Sequence, residues 1–108
     1  MKIDEVKETR LREEAWVGDA VLAMYVREWI LAQEGRIDGG LFIEFTSNDF
    51  LRVAGRPTEV EAEIGRVYKA GGLEAGYAWI QENLLPHFLH KQKVKARQRV
   101  PSKRRKKG

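Results

Sequence analysis

The stretch Ala15-Trp16-Val17-Gly18-Asp19-Ala20-Val21-Leu22-Ala23-Met24-Tyr25-Val26 decides how this chain is read. Eleven of its twelve residues are apolar or glycine, and the twelfth is Asp19. Charged residues make up 33% of the chain, so a segment this apolar is expected to be buried. Burying a lone carboxylate is costly unless a cation, a metal ion or backbone donors pair with it. Asp19 therefore calls for a partner, and the functional reading grows from that need.

Working outward, the pattern from Leu11 to Gln33 predicts one long helix. Val17, Val21, Met24 and Leu31 form one apolar stripe, and Trp16, Ala20, Ala23 and Ile30 form a second beside it. Two stripes predict a central helix with neighbours on both sides. Gly18 inside it costs roughly 1 kcal/mol relative to alanine, tolerable where another backbone must come close. Before it, Ile3, Val6 and Leu11 give a weaker spacing that fits a short first helix.

Gly35 and Gly39-Gly40 predict a loop over 35–40. Leu41 to Phe45 has strand-like composition but no second strand to pair with, so it reads as helical or irregular. Thr46 to Ala54 reads as a short capped helix ending at Gly55. Thr58-Glu59-Val60-Glu61 fits a capping box ahead of a helix with Val60, Ile64 and Val67 on its buried stripe. Gly71-Gly72 stops that helix, and Leu73, Tyr77, Ile80 and Leu84 share one face of the next. Pro86 marks a stop or kink near residue 85, and residues 87–100 can continue as a basic helix. The fold class expected is all-α.

Length and composition fit one domain with a single modest core. The absence of cysteine removes disulfides and thiolate metal sites. No apolar run approaches the ~20 residues that span a bilayer, and Met1-Lys2-Ile3-Asp4-Glu5 lacks the features of a signal peptide. No membrane association and a cytoplasmic location are expected. The net charge of +4 conceals an asymmetry: residues 1–90 carry a net −6, while residues 91–108 hold ten cations and no acid. The division expected is a helical body over 1–90 and a basic, disordered tail over 91–108. Lys91, Lys93, Lys95, Arg97 and Arg99 alternate with other residues, and Lys103, Arg104, Arg105, Lys106 and Lys107 form a block. Such a segment suits sequence-independent contacts to the phosphates of a nucleic acid, or a solubilising role.

Taken alone, Asp19 reads as an N-cap after Gly18, and Glu61 as the capping-box partner of Thr58. Two longer stretches suggest more. Trp16-Val17-Gly18-Asp19-Ala20-Val21-Leu22 resembles the E-F-L-G-D-A-V-L helix of ribonuclease III domains. Residues 61–75, from Glu61-Ala62-Glu63-Ile64-Gly65 to Gly71-Gly72-Leu73-Glu74-Ala75, are similar to that family's second acidic helix. Leu84-Leu85-Pro86 looks like its closing L-L-P. The resemblance covers roughly residues 11–88 and excludes the basic segment.

That family consists of helical, homodimeric, Mg²⁺-dependent endonucleases acting on double-stranded RNA. The resemblance implies Asp19 and Glu61 as catalytic residues and Mg²⁺ ligands, with a catalytic valley along a dimer interface. The chemistry asks for carboxylates because Mg²⁺ is a hard cation that takes oxygen ligands and keeps several waters. The chain also departs from the pattern. Ala15, Arg12 and Thr58 stand where the family carries further acids, and only 42 positions separate Asp19 from Glu61, so the middle is cut down. Glu14 and Glu63 are nearby in sequence but rotated off the faces of Asp19 and Glu61. The mini-ribonuclease III branch is similar in having a small apolar residue and a threonine at two of these positions.

Two functions follow from the resemblance. One is a Mg²⁺-dependent, homodimeric endoribonuclease processing structured RNA such as ribosomal RNA, with Arg12 on phosphate and the basic segment replacing an RNA-binding domain. The other is a catalytically silent RNA-binding protein of the same fold, for example one associated with the ribosome.

Overall fold

The computed structural model describes residues 2–107, with side chains described for residues 2–98. It is all-helical, as expected. Helix α1 spans Ile3–Glu34, α2 Gly39–Thr46, α3 Asn48–Leu51, α4 Pro57–Asn83 and α5 Leu85–Lys107. The expected short first helix and the long one are a single element. Gly35 ends α1 in the left-handed conformation that glycine adopts without penalty (φ 70°), its N–H donating to the Leu31 carbonyl.

Local chemistry explains the remaining boundaries. Asp38 caps α2 by accepting from the Leu41 N–H at 3.0 Å, so Leu41 to Phe45 is helical rather than a strand. Ser47 caps α3 by accepting from the Phe50 N–H at 3.1 Å. Pro57 occupies the first position of α4, where its missing N–H costs nothing. The expected Thr58–Glu61 capping box is therefore not formed: the helix starts two residues too early, and Glu61 is freed for another partner. The expected stop at Gly71-Gly72 is a sharp break at Gly72 (φ 81°, ψ −174°), with helix on both sides.

The main packing event is α1 against α4. Val21, Leu22, Tyr25, Val26 and Ile30 from α1 meet Val60, Ile64, Ile80 and Leu84, and Phe45, Phe50, Leu51 and Phe88 close the far end. Phe45 stacks on Phe88 with ring centroids 4.3 Å apart, and Phe50 meets Phe88 edge-on at 5.2 Å. These aromatics hold α2, α3 and the start of α5 on the α1–α4 pair.

Only one side of α1 is covered. Ala15, Gly18, Val21, Leu22, Tyr25, Val26 and Ile30 are buried. Both expected stripes are split: Trp16, 81% exposed, and Ala20 of the second and Met24 and Leu31 of the first are in solvent, while Val21 of the first and Ile30 of the second are buried. Asp19 is exposed as well, which corrects the expectation that it lies in a buried segment. The reason is geometric. The body is too small to surround α1, so four of the twelve residues in the opening stretch face out.

Helix α5 runs unbroken past residue 90. The disordered tail expected from residue 91 begins as helix, with Lys91, Gln92 and Val94 half-buried against the body. Arg99 and the Lys103–Lys107 block have side chains outside the described residues, as does Gly108 as a whole. Among the described residues, no helix is long and apolar enough to cross a membrane.

Candidate functional site

The site is built by two glycines. A Cβ on Gly18 would collide with the backbone carbonyl oxygen of Glu61 and lie 2.8 Å from the Gly65 nitrogen. A Cβ on Gly65 would collide with the Glu14 carbonyl oxygen and lie 3.2 Å from the Gly18 nitrogen. Helices α1 and α4 thus cross in backbone contact, an approach open only to residues without a side chain. Asp19 follows Gly18 on α1, and Glu61 precedes Gly65 by one turn of α4. The crossing brings the two carboxyl groups together.

Burial is the first cause that raises the Glu61 pKa, and the hydrogen bond and negative charge of Asp19 add to it, taking Glu61 to about 7. Two carboxyl groups form a hydrogen bond only when one carries a proton. Near neutral pH the pair is therefore part-way through losing its shared proton, and a divalent cation at the same place would remove the repulsion between the two carboxylates.

This has a consequence for stability. Glu61 binds its proton more tightly in the fold than in the unfolded chain, so its contribution is complete below its ordinary value of 4.5 and is lost as pH rises through about 7. The half-exposed position screens the effect to about 1 kcal/mol. In metal-free buffer, thermal melts from pH 5 to pH 8 should show the wild-type chain losing about 5 °C relative to Glu61→Gln. Parallel pH profiles for the two proteins would contradict the pairing.

The neighbouring acids are committed elsewhere. Arg66 donates to Glu14 at 2.7 Å and to Glu63 at 2.7 Å, tying α1 to α4 beside the acidic pair. Among the described residues no third Asp, Glu or His joins Asp19 and Glu61 in a group that could hold a metal ion. The rotation of Glu14 and Glu63 away from the pair agrees with the helical spacing. Arg66 itself was not singled out by sequence reasoning. Its signal was the Glu63–Arg66 spacing of three, which marks a helical ion pair.

Arg12 lies two turns before Asp19, exposed and paired with Glu8 at 3.5 Å. The basic residues of α5 are not drawn to the acidic pair. Lys91 lies over the Phe50 ring at 5.9 Å, and Lys95 pairs with Glu44 at 2.9 Å. Lys93 and Arg97, one turn apart, are exposed. The helix thus splits the expected cation row into a body-facing pair and a solvent-facing pair.

No family model, curated protein or solved structure matches the chain. The ribonuclease III resemblance consequently rests on the quoted motifs and on what the fold does with them.

Proposed function

We propose that the chain is a small Mg²⁺-dependent endoribonuclease acting on double-stranded or structured RNA, ribosomal RNA among the candidates. The observation that carries this reading is the juxtaposition of Asp19 and Glu61, 42 positions apart, at a glycine-built helix crossing. A carboxyl pair that must share a proton at neutral pH is an arrangement a protein keeps at a cost, and binding a cation offsets that cost. The donor set fits Mg²⁺: both groups are hard oxygen ligands, and the exposure of Asp19 leaves room for the waters this ion retains.

Asp19 and Glu61 would hold the ion, which when bound supplies Lewis-acid activation of water and of the scissile phosphodiester. Glu61 would give up its proton to hold the ion, so affinity should rise with pH through about 7. Arg66 keeps Glu14 and Glu63 out of the pair while fixing the crossing on which the pair depends. Lys93 and Arg97 supply phosphate contacts on the open side of α5. The exposed Trp16–Ala20–Met24 stripe, on the side of α1 opposite the core, is the surface through which two copies pair.

The second reading, an RNA-binding protein without catalysis, for example one associated with the ribosome, is favoured by one observation: the described residues offer the ion only two carboxylates.

Incubating the chain with long double-stranded RNA at low salt, in Mg²⁺ or in EDTA, separates them. Mg²⁺-dependent cleavage should be abolished by Asp19→Asn and by Glu61→Gln. Mg²⁺ should also raise the melting temperature of the wild type at pH 7.5 and leave both variants unchanged. Binding without cleavage, indifferent to either substitution, would sink the enzymatic reading.

A further inference from the structure

Beyond Phe88, α5 leaves the core, and Glu44 of α2 is the group that holds it. One carboxylate oxygen of Glu44 accepts from Gln92 Nε2 at 3.1 Å and from Lys95 Nζ at 2.9 Å. Lys91 contributes a third favourable interaction through its charge. Burial raises the Glu44 pKa, but the two hydrogen bonds and the charges of Lys95 and Lys91 outweigh it and hold the carboxyl below its ordinary value. Gln92 and Lys95, three apart on one helix, share a face and meet at the same carboxylate oxygen, and Lys91, four before Lys95, lies on the neighbouring edge. One cation and an amide donor on a single oxygen, with the charge of Lys91 farther off, form a receptor for an oxyanion, and in the free chain a carboxylate fills it.

That carboxylate is accessible. The Glu44 side chain is 23% exposed and Lys95 48% exposed, so the pair sits at the surface rather than in the core. Lys93 and Arg97 face solvent on the same two turns of α5. A polyanion that engages Lys93 and Arg97 brings further phosphates to the edge of this receptor.

We propose that Glu44 is an intramolecular stand-in for a backbone phosphate. It occupies the Lys91–Gln92–Lys95 receptor in the free chain and gives way to a phosphodiester of bound RNA. This rests on the reading of α5 as an RNA-binding surface and adds a regulatory element to it. Glu44 neutralises Lys95, so among the described cations of α5 a loose anion meets Lys93 and Arg97, and a continuous phosphate backbone is needed to displace the carboxylate. The ligand class is a nucleic-acid backbone rather than a single phosphate.

The experiment is a binding titration of a labelled 20-base-pair RNA duplex with the full 108-residue chain, over a series of salt concentrations without Mg²⁺. Glu44→Gln should tighten binding about fivefold at low salt. It should also steepen the slope of log affinity against log salt by about 1, because Lys95 is released to neutralise one more phosphate. Lys95→Met should cost little in the wild-type background and should cancel the gain in the Glu44→Gln background. Paired Lys93→Met and Arg97→Met substitutions test the underlying reading, which requires them to weaken binding at every salt concentration. If that pair weakens binding while Glu44→Gln leaves affinity and slope unchanged, the stand-in role is overturned and the RNA surface remains. If neither change alters binding, both fall. Equal cost of Lys95→Met in the two backgrounds would also overturn the proposal, whatever Glu44→Gln does to folding.

Discussion

Replacing Gly18 with alanine is expected to destabilise the fold by about 3 kcal/mol or more, one of the largest effects a single methyl group can have in this chain. The added carbon would sit against the Glu61 carbonyl and 2.8 Å from the Gly65 nitrogen, and both obstacles are backbone. A clash with a side chain can be relieved by a rotamer change. A clash with helical backbone requires the two helices to separate. Separation opens the interface between Val21, Leu22 and Ile64 as well, so the cost extends beyond the crossing point. Gly65→Ala should behave alike, since its carbon would meet the Glu14 carbonyl from the other side. For a domain of this size the loss corresponds to roughly 15 °C in melting temperature. Gly39→Ala is the control. It stands at the start of α2 with nothing near its missing carbon, so the better helix former there should leave stability unchanged or raise it by up to about 1 kcal/mol. Circular-dichroism melts of the three variants decide the matter. If Gly18→Ala melts within a few degrees of wild type, the helices do not cross in backbone contact, and the route by which Asp19 meets Glu61 must be redrawn.

This sensitivity shows which parts of the molecule the sequence makes legible. Helices betray themselves through spacing and punctuation: the run from Leu11 to Gln33 is helical, Gly35 ends it, Gly72 breaks α4, and the chain turns at Leu84 before Pro86. Burial was harder to read. Met24 and Leu31 look like core by composition yet are exposed, because period alone identifies a face without saying whether anything covers it. Asp19 was expected among buried residues for the same reason. Its pairing with Glu61 was legible through the family motifs alone, since by local rules Glu61 belonged to a capping box with Thr58. Pro57 overrides that rule by starting the helix at a residue that has no N–H to satisfy. Glu44 and Arg66 were invisible as partners of Lys95 and Glu14, because those contacts join positions about fifty apart and no local pattern encodes them.

Reversing the charge at Glu13 should weaken the homodimer we propose about tenfold, and reversing Arg27 as well should restore most of it. The outward face of α1 carries Glu13, Trp16, Ala20, Met24, Arg27 and Leu31 at spacings of three or four. Trp16, 81% exposed, stands next to the small side chain of Ala20 on a face directed away from the core. An exposed tryptophan beside an alanine on a helix is a knob beside a hole, and a second copy supplies both in reverse. A two-fold axis through Ala20 makes the helices antiparallel and pairs each residue with the one equally far from position 20 on the partner. Ala20 then meets its own copy, Trp16 meets Met24, and Glu13 meets Arg27. The central contact is small enough for close approach, the next joins an indole to a thioether, and the third joins opposite charges. The self-complementarity is specific to this register, because a shift by one turn sets Glu13 against Ala23 and leaves Arg27 without an acid. Trp16→Glu, which introduces a charge at the anchor, should raise the dimer dissociation constant by roughly a hundredfold or more. Glu13→Arg or Arg27→Glu alone should weaken it by about tenfold, and the double reversal should recover most of the loss. The absence of native cysteine gives a direct check: Ala20→Cys should form an intermolecular disulfide under mild oxidation, while a cysteine at Gln81, exposed on α4, should not. Sedimentation equilibrium on the four charge variants reads the register. Monomeric wild type at high micromolar concentration, with no crosslink at position 20, would remove the dimer, and the catalytic valley along its interface, from the proposal.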